Sequence, residues 1–129
     1  MNIDVIISIR PEWWRKILIG RKNVELRKSY PTRFCFLDTP EFSRFTAAVH
    51  VSGTPGISGF IHFYEITTCK SRMIAGCGMT EAEFDDYSNG LTVFGWCLDR
   101  VWKLAQPESL EAYGLDRPPQ SWCYVKEAK

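Results

Sequence analysis

The chain has 129 residues, of which 45% are hydrophobic and 24% charged. That is room for one buried core rather than two, in a composition ordinary for a globular protein in water. Sixteen basic against fifteen acidic residues leave a net charge of +1, which excludes attraction of the chain as a whole to a polyanion and leaves only local contact with nucleic acid.

Asn2 to Ile9 is rich in Ile and Val and predicts a buried strand. This apolar run ends at Arg10, too short for a secretory leader or a membrane span, so a cytoplasmic setting is expected. Five cysteines, an odd number without a C-x-x-C pair, argue for reduced thiols and against a zinc site; no metal or cofactor is expected. Pro11 suits a first helical turn, and Trp14, Ile17 and Leu18 recur at helical spacing as a core stripe, with Trp13 at its border and expected at the core rim. Gly20 stops this helix, because only glycine takes the left-handed conformation there without strain.

The stretch from Asn23 to Lys28 then predicts a strand in which Val24 and Leu26 face one way and Asn23, Glu25 and Arg27 the other, with Lys22 at the corner. Two readings of the polar row stand. Either these are solvated strand charges, or they line a groove for a polar, planar or anionic ligand, since Arg supplies a forked donor and Glu an acceptor.

Farther on, Tyr30-Pro31 breaks the run, Phe34 to Asp38 predicts a short strand and Glu41 to Arg44 a helical turn. Thr46 to Ser52 and Ile57 to Ile66 predict two strands around a Gly53-Thr54-Pro55-Gly56 hairpin loop, with Gly59 marking a bend or a close backbone approach. Cys69 to Ala75 predicts a short helix. Thr80 with Glu83 forms a capping box for another that ends near Tyr87 to Gly90. A long strand, Leu91 to Leu104, is followed by one or two helical turns from Pro107 to Tyr113 and a last strand from Ser121 to Val125. Short strands alternating with small helices fit an α+β protein whose strands curl into a barrel.

Charge is uneven along the chain. Basic residues crowd the first quarter, from Arg10 to Arg33, while Glu81, Glu83, Asp85 and Asp86 cluster later, a pattern that a directional cleft requires and that a dipolar surface without a partner shows equally. His50 and His62 lie in predicted strands and are expected to be satisfied by backbone partners. Cys97 and Cys123 read as small buried hydrophobes.

Pro11, Trp13-Trp14, Ile17, Gly20, Lys22 and Val24-Glu25-Leu26-Arg27 together resemble the signature of the ASCH domain, a branch of the PUA-like superfamily. Arg117-Pro118-Pro119-Gln120-Ser121-Trp122-Cys123-Tyr124-Val125 is similar to the closing segment of small bacterial and phage-related ASCH proteins. The two motifs bracket nearly the whole chain, so the resemblance implies a single PUA-like mixed β-barrel domain over residues 1–129 with short flanking helices.

It also implies a groove where the first helix meets the last strand, binding single-stranded RNA or a modified nucleotide through Lys22, Glu25, Arg27, Gln120, Ser121 and Trp122. In that groove Lys22 and Arg27 would meet phosphate, Glu25 and Gln120 base edges, and Trp122 a base face; Trp122 serves equally as a core ring at the barrel seam.

Some ASCH-like proteins are amidohydrolases of N-acetylated cytidine that use a lysine, a threonine three residues on and a later glutamate. Lys22 matches the lysine, but Glu25 stands where the hydroxyl belongs. Others are single-stranded ribonucleases. For either hydrolase the candidate catalytic residues here are Lys22 and Ser121. A third expectation is an accessory module that binds another protein through exposed aromatic side chains.

Overall fold

In the computed structural model, which describes residues 2–126, six strands form one sheet in the order β2-β5-β4-β3-β1-β6. They are β1 (Val5–Ile9), β2 (Val24–Arg27), β3 (Phe45–Val51), β4 (Ile57–Thr67), β5 (Phe94–Glu108) and β6 (Trp122–Tyr124). Only β1 and β3 pair in parallel; every other neighbour is antiparallel. Three helices complete the layout: α1 (Pro11–Leu18), α2 (Lys70–Gly76) and α3 (Glu81–Ser88). Among the described residues no helix is long and apolar enough to cross a membrane.

Alternation decides what lies inside the curl. Val5, Ile7 and Ile9 of β1 pack with Phe45, Ala47 and Val49 of β3 and with Ile61 and Phe63 of β4, under Trp14 and Ile17 of α1. The centre is aromatic: the Trp96 ring meets Phe45 and Phe63 edge-on at 5.1 and 5.4 Å between centroids. Each such ring or branched side chain contributes roughly 1.5–3 kcal/mol by leaving water. Gly59 lets β4 pass this layer, because a Cβ there would strike the Trp102 carbonyl and the Trp14 ring.

The termini of the small helices follow local chemistry. Gly20, at φ +78°, closes α1 with two bonds, its own N–H to Ile17 O and that of Arg21 to Lys16 O, the doubled pattern that satisfies orphan carbonyls at a helix end. Thr80 and Glu83 form the reciprocal capping box of α3, and Asn89 takes a left-handed conformation at its end. Helices α2 and α3 cover the outer face of β2, burying Val24 and Leu26 against Met73, Cys77 and Phe84.

Three expectations change. Phe34 to Asp38 is not a strand but part of two 3-10 turns, Thr32–Phe34 and Phe36–Asp38, because Leu37 and Asp38 sit at φ +58° and +53° and break any extended run. β5 continues to Glu108, and the helical turn beyond it spans only Leu110–Tyr113. His50 does bond a backbone carbonyl, that of Gly56, but His62 meets a side chain, Asp99, at 2.7 Å.

Candidate functional site

The free edges of the sheet, β2 and β6, come together without a backbone ladder between them. Arg27, the last residue of β2, spans the gap. One guanidinium nitrogen donates to Ser8 O at 2.8 Å, and the other to Ser121 Oγ at 2.9 Å and Ser121 O at 3.2 Å. Ser8 holds the far side, donating from its hydroxyl to Pro119 O at 2.6 Å and from its amide to Ser121 O. Farther along the same seam Trp122 donates from its indole nitrogen to Ser29 Oγ at 2.9 Å.

Beside this junction opens a cleft of about 320 Å³. Glu25, Leu26 and Arg27 form one wall and Gln120 and Ser121 the other; Arg10 and Trp13 enter from the start of α1, Ser8 and Ser52 from strand ends, and Met79 and Tyr87 from the α3 side. Four of the six expected groove residues, Glu25, Arg27, Gln120 and Ser121, are therefore in one hollow.

The other two lie elsewhere. Lys22 is beneath the cleft, its side chain wholly buried, with the amine donating to Cys77 O at 2.6 Å and lying 3.7 Å from Glu25 Oε1. Burial holds this ammonium below its usual pKa, and the Glu25 carboxylate partly offsets the effect. Trp122 turns to the core at the seam, its ring 5.8 Å from Trp96 and 5.2 Å from Tyr124. Asn23 also leaves the row and lines a separate hollow with Arg72 and Gly76.

Glu25 is the most constrained group in the cleft. Its Oε1 accepts from Leu26 N and faces Lys22, while Oε2 lies 3.8 Å from Arg27 and has no hydrogen-bond partner among the described residues. A buried carboxylate oxygen without a donor is costly, and a ligand N–H or O–H would satisfy it. Trp13 stands close by. Its half-buried ring packs on the core, as expected for the rim, and also faces the cleft, with the ammonium groups of Lys16 and Lys22 within 5.0 Å of its centroid. Two cations beside one ring fix its place by cation–π attraction. Tyr87, whose hydroxyl donates to Leu26 O at 3.2 Å, has its pKa raised by burial.

Sequence reasoning missed Ser8, Arg10, Ser52, Met79 and Tyr87 as lining residues; they come from separate elements and share no local pattern. For Arg10 one signal was present, its position directly before the Pro11 that opens α1.

Among the described residues no group of three His, Cys, Asp or Glu is placed to hold a metal ion. No protein-family profile matches the chain, and no curated protein matches it. Solved structures do. It superposes on the crystal structure of ASCH from Zymomonas mobilis with a TM-score of 0.71 at 22% identity, covering 95% of this chain and 87% of that one. A serine-to-alanine mutant of the same protein gives a TM-score of 0.72 at 22% identity, covering 95% and 88%. A tyrosine-to-phenylalanine mutant gives 0.70 at 20%, covering 95% and 90%. The chain therefore has the fold of these ASCH structures, an α+β architecture in which one curled six-stranded sheet carries short helices.

Proposed function

We propose that the cleft binds single-stranded RNA or a modified nucleotide, with the reading resting on one observation above the others: the buried Glu25 Oε2 that lacks a donor. A base edge carrying an N–H supplies that donor. Trp13 offers an aromatic face beside it, Gln120 and Ser121 offer further hydrogen bonds, and exposed Arg10 offers phosphate contact at the rim. Lys22 does not meet phosphate in this arrangement, because its amine is spent on Cys77 and Glu25; it holds Glu25 in place from below. Arg27 joins the two walls. Its Nε has no partner among the described residues, which leaves one donor in addition to its seam contacts.

A salt-dependent anisotropy titration with a labelled oligonucleotide tests the reading. Arg10→Ala is expected to weaken binding and reduce the salt slope by about one phosphate contact. Glu25→Gln is expected to weaken it at all salt concentrations by about 1.5–3 kcal/mol, the range for a hydrogen bond to a charged group. No binding at low salt, or binding indifferent to both changes, refutes it.

Hydrolysis is the second reading, favoured by a serine hydroxyl in the cleft and a desolvated lysine beneath it. Ser121, however, is bonded to Arg27, which cannot accept its proton, and among the described residues no base is hydrogen-bonded to its hydroxyl. Incubation with labelled RNA and with acylated cytidine separates turnover from binding. Loss of turnover in folded Ser121→Ala would establish the enzyme.

A further inference from the structure

The end of the sheet opposite the cleft carries a second surface. There the turns between β2 and β3 expose Phe36, Leu37 and Phe42 at 69%, 75% and 57% of their full area. Large apolar side chains grouped in this way mark contact sites more often than chance exposure. Beside them lies a recess of about 380 Å³ whose walls include Phe34, Phe42 and Tyr64. Arg33, Arg44 and Glu41 line the recess and Asp38 follows Leu37 in the turn beside it; all four are exposed and none makes an ion pair among the described residues, although the Arg33 guanidinium lies over the Tyr124 ring at 4.0 Å.

Leu37 adds a second, independent observation. It sits at φ +58°, a conformation that glycine or asparagine adopts readily and a leucine only under strain. Backbone strain of this kind persists where the side chain it displays has a use. The displayed side chain here is the most exposed large apolar group of the patch.

We infer that this face is a two-fold interface for a second copy of the chain. A protrusion and a recess stand side by side on one surface, so a two-fold axis between them seats Leu37 of each copy in the recess of the other. The face as a whole is self-complementary in charge, Arg33 and Arg44 against Asp38 and Glu41, so the same rotation can bring the arginines of one copy against the carboxylates of its mate. Nucleic acid fits less well. The carboxylates of Asp38 and Glu41 repel phosphate, and the most exposed group, Leu37, stands beyond Phe36 and Phe42 and has no ring on which a base can stack. The interface leaves the cleft open, since the cleft lies where β1 and β3 end and β6 begins.

Sedimentation velocity of the whole chain from micromolar to millimolar concentration is the test. The weight-average mass is expected to rise from monomer toward dimer. Leu37→Asn, which suits the left-handed turn, is expected to return the protein to monomer while its melting temperature holds or rises. Leu91→Asn, at a leucine 62% exposed elsewhere, is expected to leave the dimer intact. Arg44→Glu alone should weaken dimerisation by about tenfold or more, and adding Glu41→Arg should restore it, the signature of a direct charge contact. A wild-type monomer throughout the range overturns the proposal, and so does a dimer that survives Leu37→Asn. Oligonucleotide binding that Leu37→Asn abolishes overturns it in favour of nucleic acid.

Discussion

Replacing Lys22 by methionine leaves an unbranched side chain one atom shorter and removes a cation that is wholly buried beneath the cleft. Two groups lose their partner at once. The Cys77 carbonyl gives up a 2.6 Å bond, and the Glu25 carboxylate loses the ammonium 3.7 Å away while remaining buried. Breaking a buried ion pair by removing one partner costs about 3–5 kcal/mol, most of it the charge left behind. Glu25 retains the Leu26 amide and the Arg27 guanidinium at 3.8 Å, so the lower end applies, about 3 kcal/mol. With a urea slope of about 2 kcal/mol per molar for a chain of this size, the midpoint of unfolding falls by about 1.5 M. Lys22→Met with Glu25→Gln removes both charges and is expected to recover at least half of the loss, because the stranded carboxylate is gone. A single-variant cost below about 1 kcal/mol, or a double variant that merely sums the two single costs, refutes the view that this pair is a coupled buried unit.

Arg27→Gln removes the guanidinium that joins β2 to Ser8 and Ser121; it is expected to cost about 2 kcal/mol and to speed amide exchange in β6 more than in β4, read by hydrogen–deuterium exchange. Gly59→Ala forces a methyl group into the Trp102 carbonyl and is expected to cost about 3 kcal/mol in urea unfolding, whereas a cost under about 0.5 kcal/mol would show that β4 and β5 part freely there. The Thr80 backbone amide holds the Glu83 carboxyl below its usual pKa. Its contribution is therefore complete above the unfolded carboxylate pKa and lost as pH falls through the folded value, so the stability gap between wild type and Glu83→Gln is expected to close on acidification. Lys22 runs with the opposite chemistry: a lysine pKa lowered in the fold means that the unfolded chain binds more protons, so stability from this group rises as pH climbs toward 10.5. The slope of wild type minus Lys22→Met between pH 8 and that value reads it.

Local chemistry makes most of the elements legible in the sequence. Pro11, the Trp14–Ile17–Leu18 stripe and Gly20 each act within a few residues of themselves, and so do Thr80 with Glu83; α1 and α3 stand where those signals put them. The misread stretch, Phe34 to Asp38, has strand-like composition, but two consecutive left-handed residues, neither of them glycine, bend it into turns, and no local rule anticipates a leucine at φ +58°. β5 ran past its expected end because pairing with β4 continues to Ile57 opposite Glu108, a tertiary contact that outweighs the turn signal of Pro107.

For the cleft, the alternation of Val24 to Arg27 placed Glu25 and Arg27 on one face, and the resemblance brought Gln120 and Ser121 opposite them. Burial of Lys22 was not legible, since a lysine between a glycine and a strand reads as exposed until the Cys77–Gly78 turn after α2 and the Trp13 ring of α1 close over it. The contributions of Ser52 and Tyr87 arise only when distant elements converge.

The join between β2 and β6 differs in kind from the rest of the wall. Adjacent strands elsewhere part only by surrendering amides and carbonyls in rows, a cooperative and expensive event. Here the two margins are joined by side-chain bonds of Arg27 and Trp122 and, from the turn after β2, by the Arg33 amide to the Tyr124 hydroxyl, so no row of backbone bonds holds them. The wall is thus weakest along one line, where parting costs side-chain bonds alone, while Pro119 and Ser121 stay tied to β1 through Ser8.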